Sequence, residues 1–251
     1  MTDVVADLRA QVEDLRTLAS GLDEAGFATP SACPGWSVSD VLLHLAQTND
    51  MAIASVQQRL MEAGDLWAPA REGVSNVDDL ADGAVAAERG PSGAEVFRRW
   101  SDGAEEMVAA FETTDPAARV QWVVGQMAAR SLATTRLAET WIHTGDIYAG
   151  LGIEQPPTDR TWHITRLVHR TLPYAFTREG RDAPGPVRFE VRAAESDDVW
   201  IFGDEHAPTV VQGPALDLCH VAGQRADAAD TALSASGPDA EGVLLLMRTF
   251  A

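Results

Sequence analysis

The chain has 251 residues, of which 38 are acidic and 19 basic, for a formal net charge of −19. Hydrophobic residues make up 45%, which excludes a mainly disordered protein. A surface with this excess of acidic residues repels phosphate groups and anionic lipids. We therefore expect neither nucleic acid nor a membrane as a partner. The N-terminus predicts a charged helix rather than a signal peptide, and Cys33 and Cys219 do not form a disulfide framework. A cytoplasmic location is therefore expected.

The first 150 residues predict four helices and one long connection. Apolar residues recur at steps of three and four over residues 4–26, 38–63, 94–113 and 131–150. Ser37 is the predicted N-cap of the second helix, and Asp40 completes a capping box. Residues 64–91, with a short helix near 77–88, are either a lid over a site or a solvated insertion. The pattern predicts a four-helix bundle.

The pattern changes after the Gln-Pro-Pro sequence at residues 155–157. Helices are predicted over 162–176, 215–222 and 240–250, and alternating strands over 187–192, 199–202 and 209–212. The predicted fold is therefore mainly α, with a four-helix bundle over residues 1–155 and a smaller α+β domain over 156–251.

Three polar residues stand where the helical pattern places inward-facing positions. Glu139 and His143 are four apart, on one helix face, and His44 lies on the inner stripe of another helix. Two imidazoles and one carboxylate are the ligands of an open divalent-metal site, which leaves a position for water or substrate. The alternative is a Glu139–His143 salt bridge with a hydrogen-bonded His44 in the core. Asp146 is an acceptor that orients a ligand imidazole or, alternatively, an N–H acceptor or exposed acid near the helix end.

Two segments resemble a known family. Residues 33–46 (CPGWSVSDVLLHLA) and 138–147 (AETWIHTGDI) are similar to the second- and fourth-helix motifs of the DinB-like superfamily, and in particular of its mycothiol-dependent maleylpyruvate isomerase-like branch. Residues 122–127 and 131–136 resemble an uncharacterised metal-binding subfamily of that branch, and residues 213–218 and 224–225 agree with the resemblance, which thus spans nearly the whole chain. The resemblance implies a DinB-like bundle and a metal held by His44, Glu139 and His143.

The resemblance also implies cofactors and a substrate contact. The expected metal is zinc, with nickel taken up during nickel-affinity purification, and the expected co-substrate is mycothiol. Arg225 falls where related isomerases carry an arginine that binds a substrate carboxylate, although residues 221–224 follow that pattern only loosely. A homodimer is the default expectation. Cys33 is expected to be a buried structural thiol, and the four remaining histidines show no spacing typical of a site.

A metal beside a thiol favours the thiolate, which is the nucleophile. Addition of the thiolate to a cis double bond, rotation and elimination give the trans isomer, whereas attack at a carbon with a leaving group gives a thioether. The sequence therefore predicts a metal- and thiol-dependent isomerase or S-transferase acting on a small electrophile. Two alternatives remain: a thiol-independent metal hydrolase, and a non-catalytic protein that binds a metal or small ligand.

Overall fold

The computed structural model describes residues 3–60, 77–123 and 125–249, and its contacts divide the chain into two compact units, Met1–Gln155 and Pro156–Ala251. Within the described ranges, no helix is both long enough and apolar enough to cross a membrane. The fold is mainly helical, as the sequence predicts.

The first unit is a bundle of four long helices. Its elements in chain order are α1 (Val4–Ser20), α2 (Glu24–Phe27), α3 (Val38–Val56), α4 (Val77–Glu88), α5 (Gly93–Thr113), strands β1 (Arg119–Trp122) and β2 (Gly125–Ala128), and α6 (Ala129–Gly150). Helices α1, α3, α5 and α6 pack against one another, and their apolar stripes form one continuous core. The strands β1 and β2 pair as an antiparallel hairpin that directly precedes α6.

Side-chain caps explain where the helices of the bundle begin. The predicted capping box of α3 is confirmed: Ser37 accepts from the backbone N–H of Asp40, and the Asp40 carboxylate accepts from Ser37 N. A second capping box, with Ser92 as the N-cap, starts α5. The first helix is shorter than predicted, because Asp23 caps a separate short helix and ends the continuous stripe at Ser20.

Helix α3, which is the second of the predicted helices, also ends earlier than predicted. It stops at Val56, and Gln58 adopts the left-handed conformation, with φ of 60°, which terminates the helical path. Residues 61–63 of the predicted helix and residues 64–76 of the predicted lid or insertion lie outside the described residues. The short helix predicted near 77–88 is confirmed. Strand β1 pairs with β2, a strand that was not predicted from the sequence.

The second unit is a four-stranded sheet with helices. Its elements are α7 (Thr161–Arg178), β3 (Val187–Arg192), β4 (Val199–Phe202), β5 (Thr209–Pro214), α8 (Ala215–Ala222), a 3₁₀ turn (Ala228–Asp230), β6 (Ser234–Ser236) and α9 (Ala240–Leu246). The strand order is β4-β3-β5-β6, with β3 and β5 parallel and the other neighbours antiparallel. Alternation along β3 buries Val187, Phe189 and Val191. Strand β6 was missed because it is three small residues long, and α9 ends four residues before the predicted end.

Candidate metal centre

Helices α3 and α6 bring His44, Glu139 and His143 together inside the bundle. The three residues are 9%, 6% and 8% exposed, so all lie almost entirely out of solvent. His44 Nε2 lies 3.1 Å from Glu139 Oε1, and the rings of His44 and His143 meet edge to face at 4.9 Å between centroids. One donor atom from each residue lies within 4.8 Å of the other two. The predicted set is thus brought to one point.

The donor set fits a divalent ion. Ligand atoms about 2.1 Å from one ion are separated by about 3–4 Å. The 3.1 Å between His44 Nε2 and Glu139 Oε1 lies in that range, and the ligand atoms of all three residues lie within 4.8 Å of one another. His44 Nδ1 is buried and has no hydrogen-bond partner among the described residues, so the pairing of His44 with Glu139 does not satisfy the whole imidazole. Two imidazoles and one carboxylate suit zinc and other first-row divalent ions.

The surroundings of the cluster favour the protonation states of Glu139 and His143 that can bind a metal. Burial opposes ionisation of Glu139, but the charge of Arg136 and the hydrogen bond from His44 outweigh it and hold the pKa of that carboxyl well below its usual value. Burial lowers the pKa of His143 below its usual value, by more than the hydrogen bond to Asp146 raises it. At neutral pH the site therefore holds a carboxylate and a neutral imidazole, as metal binding requires.

Asp146 orients one of the imidazoles. Its Oδ2 lies 2.9 Å from His143 Nδ1, so the Nδ1–H donates a hydrogen bond to the carboxylate. The other ring nitrogen, Nε2, is then unprotonated and is the atom of His143 that could bind a metal. Asp146 is 2% exposed, which excludes the alternative of an exposed acid at the helix end. A carboxylate behind a ligand histidine is a common arrangement in metal sites.

The turn before α3 reaches the same cluster, which the sequence analysis did not foresee. Cys33 is half-buried, and its thiol donates to Asp146 Oδ2 at 3.0 Å and lies 3.7 Å from His143 Nδ1. The expectation of a buried structural thiol therefore misplaced it. Ala32 N also donates to the backbone carbonyl of Asp146, and Gly150 allows the close approach because a Cβ there would collide with the carbonyl of Pro30.

Trp36 forms a wall of the cluster. Its ring centroid is 5.1 Å from that of His44 and 6.3 Å from that of His143, and the indole is nearly buried. The indole N–H donates to Asp82 Oδ1 of α4 at 2.7 Å, which fixes the plane of the ring. No sequence signal could have placed Cys33 or Trp36 here, because a turn containing proline and glycine has no helical period to follow.

Arg136 is the other residue that the sequence analysis missed. Its side chain is fully buried, and its guanidinium donates to Glu139 Oε2 and to Asn49 Oδ1. A signal did exist: residues three apart on a helix share a face, so Arg136 had to lie on the polar stripe of Glu139.

The remaining sequence candidates lie in the second unit. Arg225 follows α8, and its guanidinium donates to the carbonyl of Gly223 at 2.8 Å. His169 Nε2 hydrogen-bonds the carbonyl of Val187, and His206 is exposed. Among the described residues, the sets of three or more metal-donor side chains contain neither of these histidines nor His163 or His220.

Comparison with known proteins supports the resemblance seen in the sequence. The family model for the mycothiol maleylpyruvate isomerase N-terminal domain matches residues 8–148. Over 248 residues the chain is 32% identical to uncharacterized proteins of two Mycobacterium tuberculosis strains, covering 98% of this chain and 95% of theirs.

Two solved structures share the fold. They are the mycothiol-dependent maleylpyruvate isomerase and a mutant of it, with TM-scores of 0.58 and 0.60 and identities of 18% and 16%. Each match covers 93% of this chain and 91% of the other. The predicted fold class, a DinB-like bundle with a smaller α+β part, is confirmed by this similarity.

Proposed function

We propose that this chain, which belongs to the mycothiol maleylpyruvate isomerase N-terminal domain family, is a divalent-metal enzyme that uses a low-molecular-weight thiol either to isomerise a small electrophile or to displace its leaving group and form a thioether. The observation that carries the proposal is the convergence of His44, Glu139 and His143 in one buried cluster. Zinc is the proposed metal and a thiol of the mycothiol class the proposed co-substrate. The name of the structural relative, a mycothiol-dependent isomerase, supports the thiol.

The chain's own residues prepare the site for that chemistry. Asp146 holds the ring of His143, and Arg136 keeps Glu139 ionised in spite of its burial. Trp36 covers both imidazoles and excludes water from that side. A divalent ion held there would favour the deprotonated, nucleophilic form of a thiol. Arg225 is proposed to bind a carboxylate of the electrophile, because an arginine fork matches a carboxylate in shape and charge.

The first experiment measures metal content by mass spectrometry on untagged protein purified without chelator. We expect close to one divalent ion per chain in the wild type and a loss of most of it in His44→Ala, with the fold retained by circular dichroism. His206→Ala is the matched control, because His206 is exposed and lies outside the cluster. It should keep the wild-type metal content.

Activity is then tested with thiols and α,β-unsaturated acids. Turnover that requires both metal and thiol supports the proposal. Metal-dependent hydrolysis that proceeds without thiol would replace it with the hydrolase alternative.

One observation favours a second candidate, a bundle without a metal. Glu139 already accepts from His44 and Arg136, and His143 already donates to Asp146, so much of the polar cluster is satisfied internally. A wild type that carries no metal, and whose stability does not change when zinc is added, would establish this candidate and refute the enzyme proposal.

A further inference from the structure

Arg136 is a fully buried charge next to the candidate metal centre. It is 0% exposed, at a position where an arginine is rarely found without a specific partner. One end of its guanidinium donates to Glu139 Oε2, and the other donates to Asn49 Oδ1 at 3.0 Å, so the plane of the guanidinium is held between α6 and α3. Its Nε is buried and has no acceptor among the described residues.

Packing alone does not account for an arginine at this position. Removal of a guanidinium from water is costly, and an apolar side chain of similar volume often replaces a buried ion pair without loss of stability. Among the described residues, the partners that offset this cost are Glu139 and Asn49. Unlike an apolar residue, arginine places a positive charge next to one particular oxygen of Glu139.

The two oxygens of Glu139 are therefore not equivalent. Oε2 is occupied by Arg136, whereas Oε1 lies 3.1 Å from Nε2 of His44, another residue of the candidate ligand set. The negative charge of Glu139 is also balanced by the positive charge of Arg136. Since Arg136 and Glu139 carry almost no net charge together, a divalent ion beside this pair would keep more attraction for an anion than one beside an unpaired carboxylate.

We propose that Arg136 is a positioning residue that holds Oε2 of Glu139, so that the carboxylate offers a single oxygen to the metal and leaves room and positive charge for a thiolate ligand. This inference rests on the proposed metal- and thiol-dependent function. It assigns to Arg136 the selection of an anionic sulfur ligand, while Glu139 and the two histidines hold the ion.

The test uses the full chain loaded with Co²⁺, whose visible absorption reports coordination number and whose near-ultraviolet charge-transfer band reports a bound thiolate. Wild type, Arg136→Met and Arg136→Gln are titrated with 2-mercaptoethanol. Arg136→Gln removes the charge but keeps hydrogen-bonding groups toward Glu139 and Asn49. This variant is expected to fold even if Arg136→Met does not. Arg130→Met is the matched control, since Arg130 is exposed on the same helix.

We expect Arg136→Met to bind Co²⁺ with weaker visible bands, because the second carboxylate oxygen becomes available and the coordination number rises. Arg136→Gln, which keeps a hydrogen-bond donor for that oxygen, should retain more of the band intensity and lose only the charge. The dissociation constant for 2-mercaptoethanol should rise by about tenfold or more when a unit charge this close is removed. Arg130→Met should match the wild type. A purely structural role for Arg136 would lower stability without moving either spectroscopic signal.

The outcomes separate this inference from the function on which it rests. If the wild type binds Co²⁺ and thiol, and the Arg136 variants bind both as the wild type does, Arg136 is only a packing residue and the inference is overturned while the proposed function stands. If the wild type binds no Co²⁺, the proposed function itself fails, and the role of Arg136 fails with it.

Discussion

Replacement of Asp146 by alanine tests the cluster through a residue that holds a ligand in place. Asp146 is buried and accepts from His143 Nδ1 at 2.9 Å and from the Cys33 thiol at 3.0 Å. A hydrogen bond to a charged group contributes about 1.5–3 kcal/mol, and the thiol is the weaker of the two donors. We therefore expect Asp146→Ala to lower the free energy of unfolding of the metal-free protein by about 2–4 kcal/mol.

The same substitution should weaken metal binding. Loss of the partner behind a ligand histidine typically lowers metal affinity by about 10- to 100-fold, because the ring loses its orientation. The stability change is measured by urea unfolding in the presence of a chelator, followed by tryptophan fluorescence, and the affinity by competition with a chromophoric chelator.

Asp50→Ala is the matched control for the stability measurement. Asp50 lies on α3 and pairs with Arg99 at 3.1 Å, with more than half of its side chain exposed. Its removal should change the stability by no more than about 1 kcal/mol. The reasoning would be refuted if Asp146→Ala were as stable as Asp50→Ala and bound zinc as tightly as the wild type.

Three further predictions concern pH, the aromatic wall and the second thiol. Burial holds the pKa of His143 below 6.5, so near pH 6.5 the unfolded chain binds a proton at this residue and the folded chain does not. The free energy of unfolding of the metal-free protein should therefore decrease as pH falls through about 6.5. The lowered pKa of Glu139 adds a second loss below about pH 4.5, and Glu139→Gln should remove that part of the urea-unfolding pH profile. Trp36→Phe should lower the free energy of unfolding by about 1–3 kcal/mol, since it removes the hydrogen bond to Asp82 and leaves a gap over the imidazoles. An unchanged melting temperature would contradict the packing of Trp36 against the two histidines. Burial raises the pKa of Cys219 to about 12, so a thiol reagent at pH 8 should label it only after unfolding, and rapid labelling of the native protein would show that the residue is not enclosed.

The helices of the bundle could be predicted because their signals are local. A stripe of apolar residues at steps of three and four specifies which face of a helix is buried, and Ser37 with Asp40 marks where α3 begins. The same logic placed His44, Glu139 and His143 on inward faces. Errors fell where a cap or a left-handed residue interrupts a continuing pattern, as at Asp23 and Gln58.

The hydrogen-bonded surroundings of the cluster could not be predicted in the same way. Cys33 and Trp36 belong to a turn whose path depends on its docking against α6, and that path has no period in the sequence. Strand β6 was missed for a related reason: three small residues become a strand only because β5 supplies the pairing edge.

The amino-acid pattern was sufficient to predict which helices of the bundle form, which of their faces are buried and which residue types could bind a metal. It could do so because periodicity and capping act within a few residues along one chain segment. Only the packed structure shows that Arg136 also binds Asn49 of α3, that Cys33 reaches Asp146, and that Trp36 covers both imidazoles. Those relations depend on distances between segments far apart in the chain, which are set only when the helices pack.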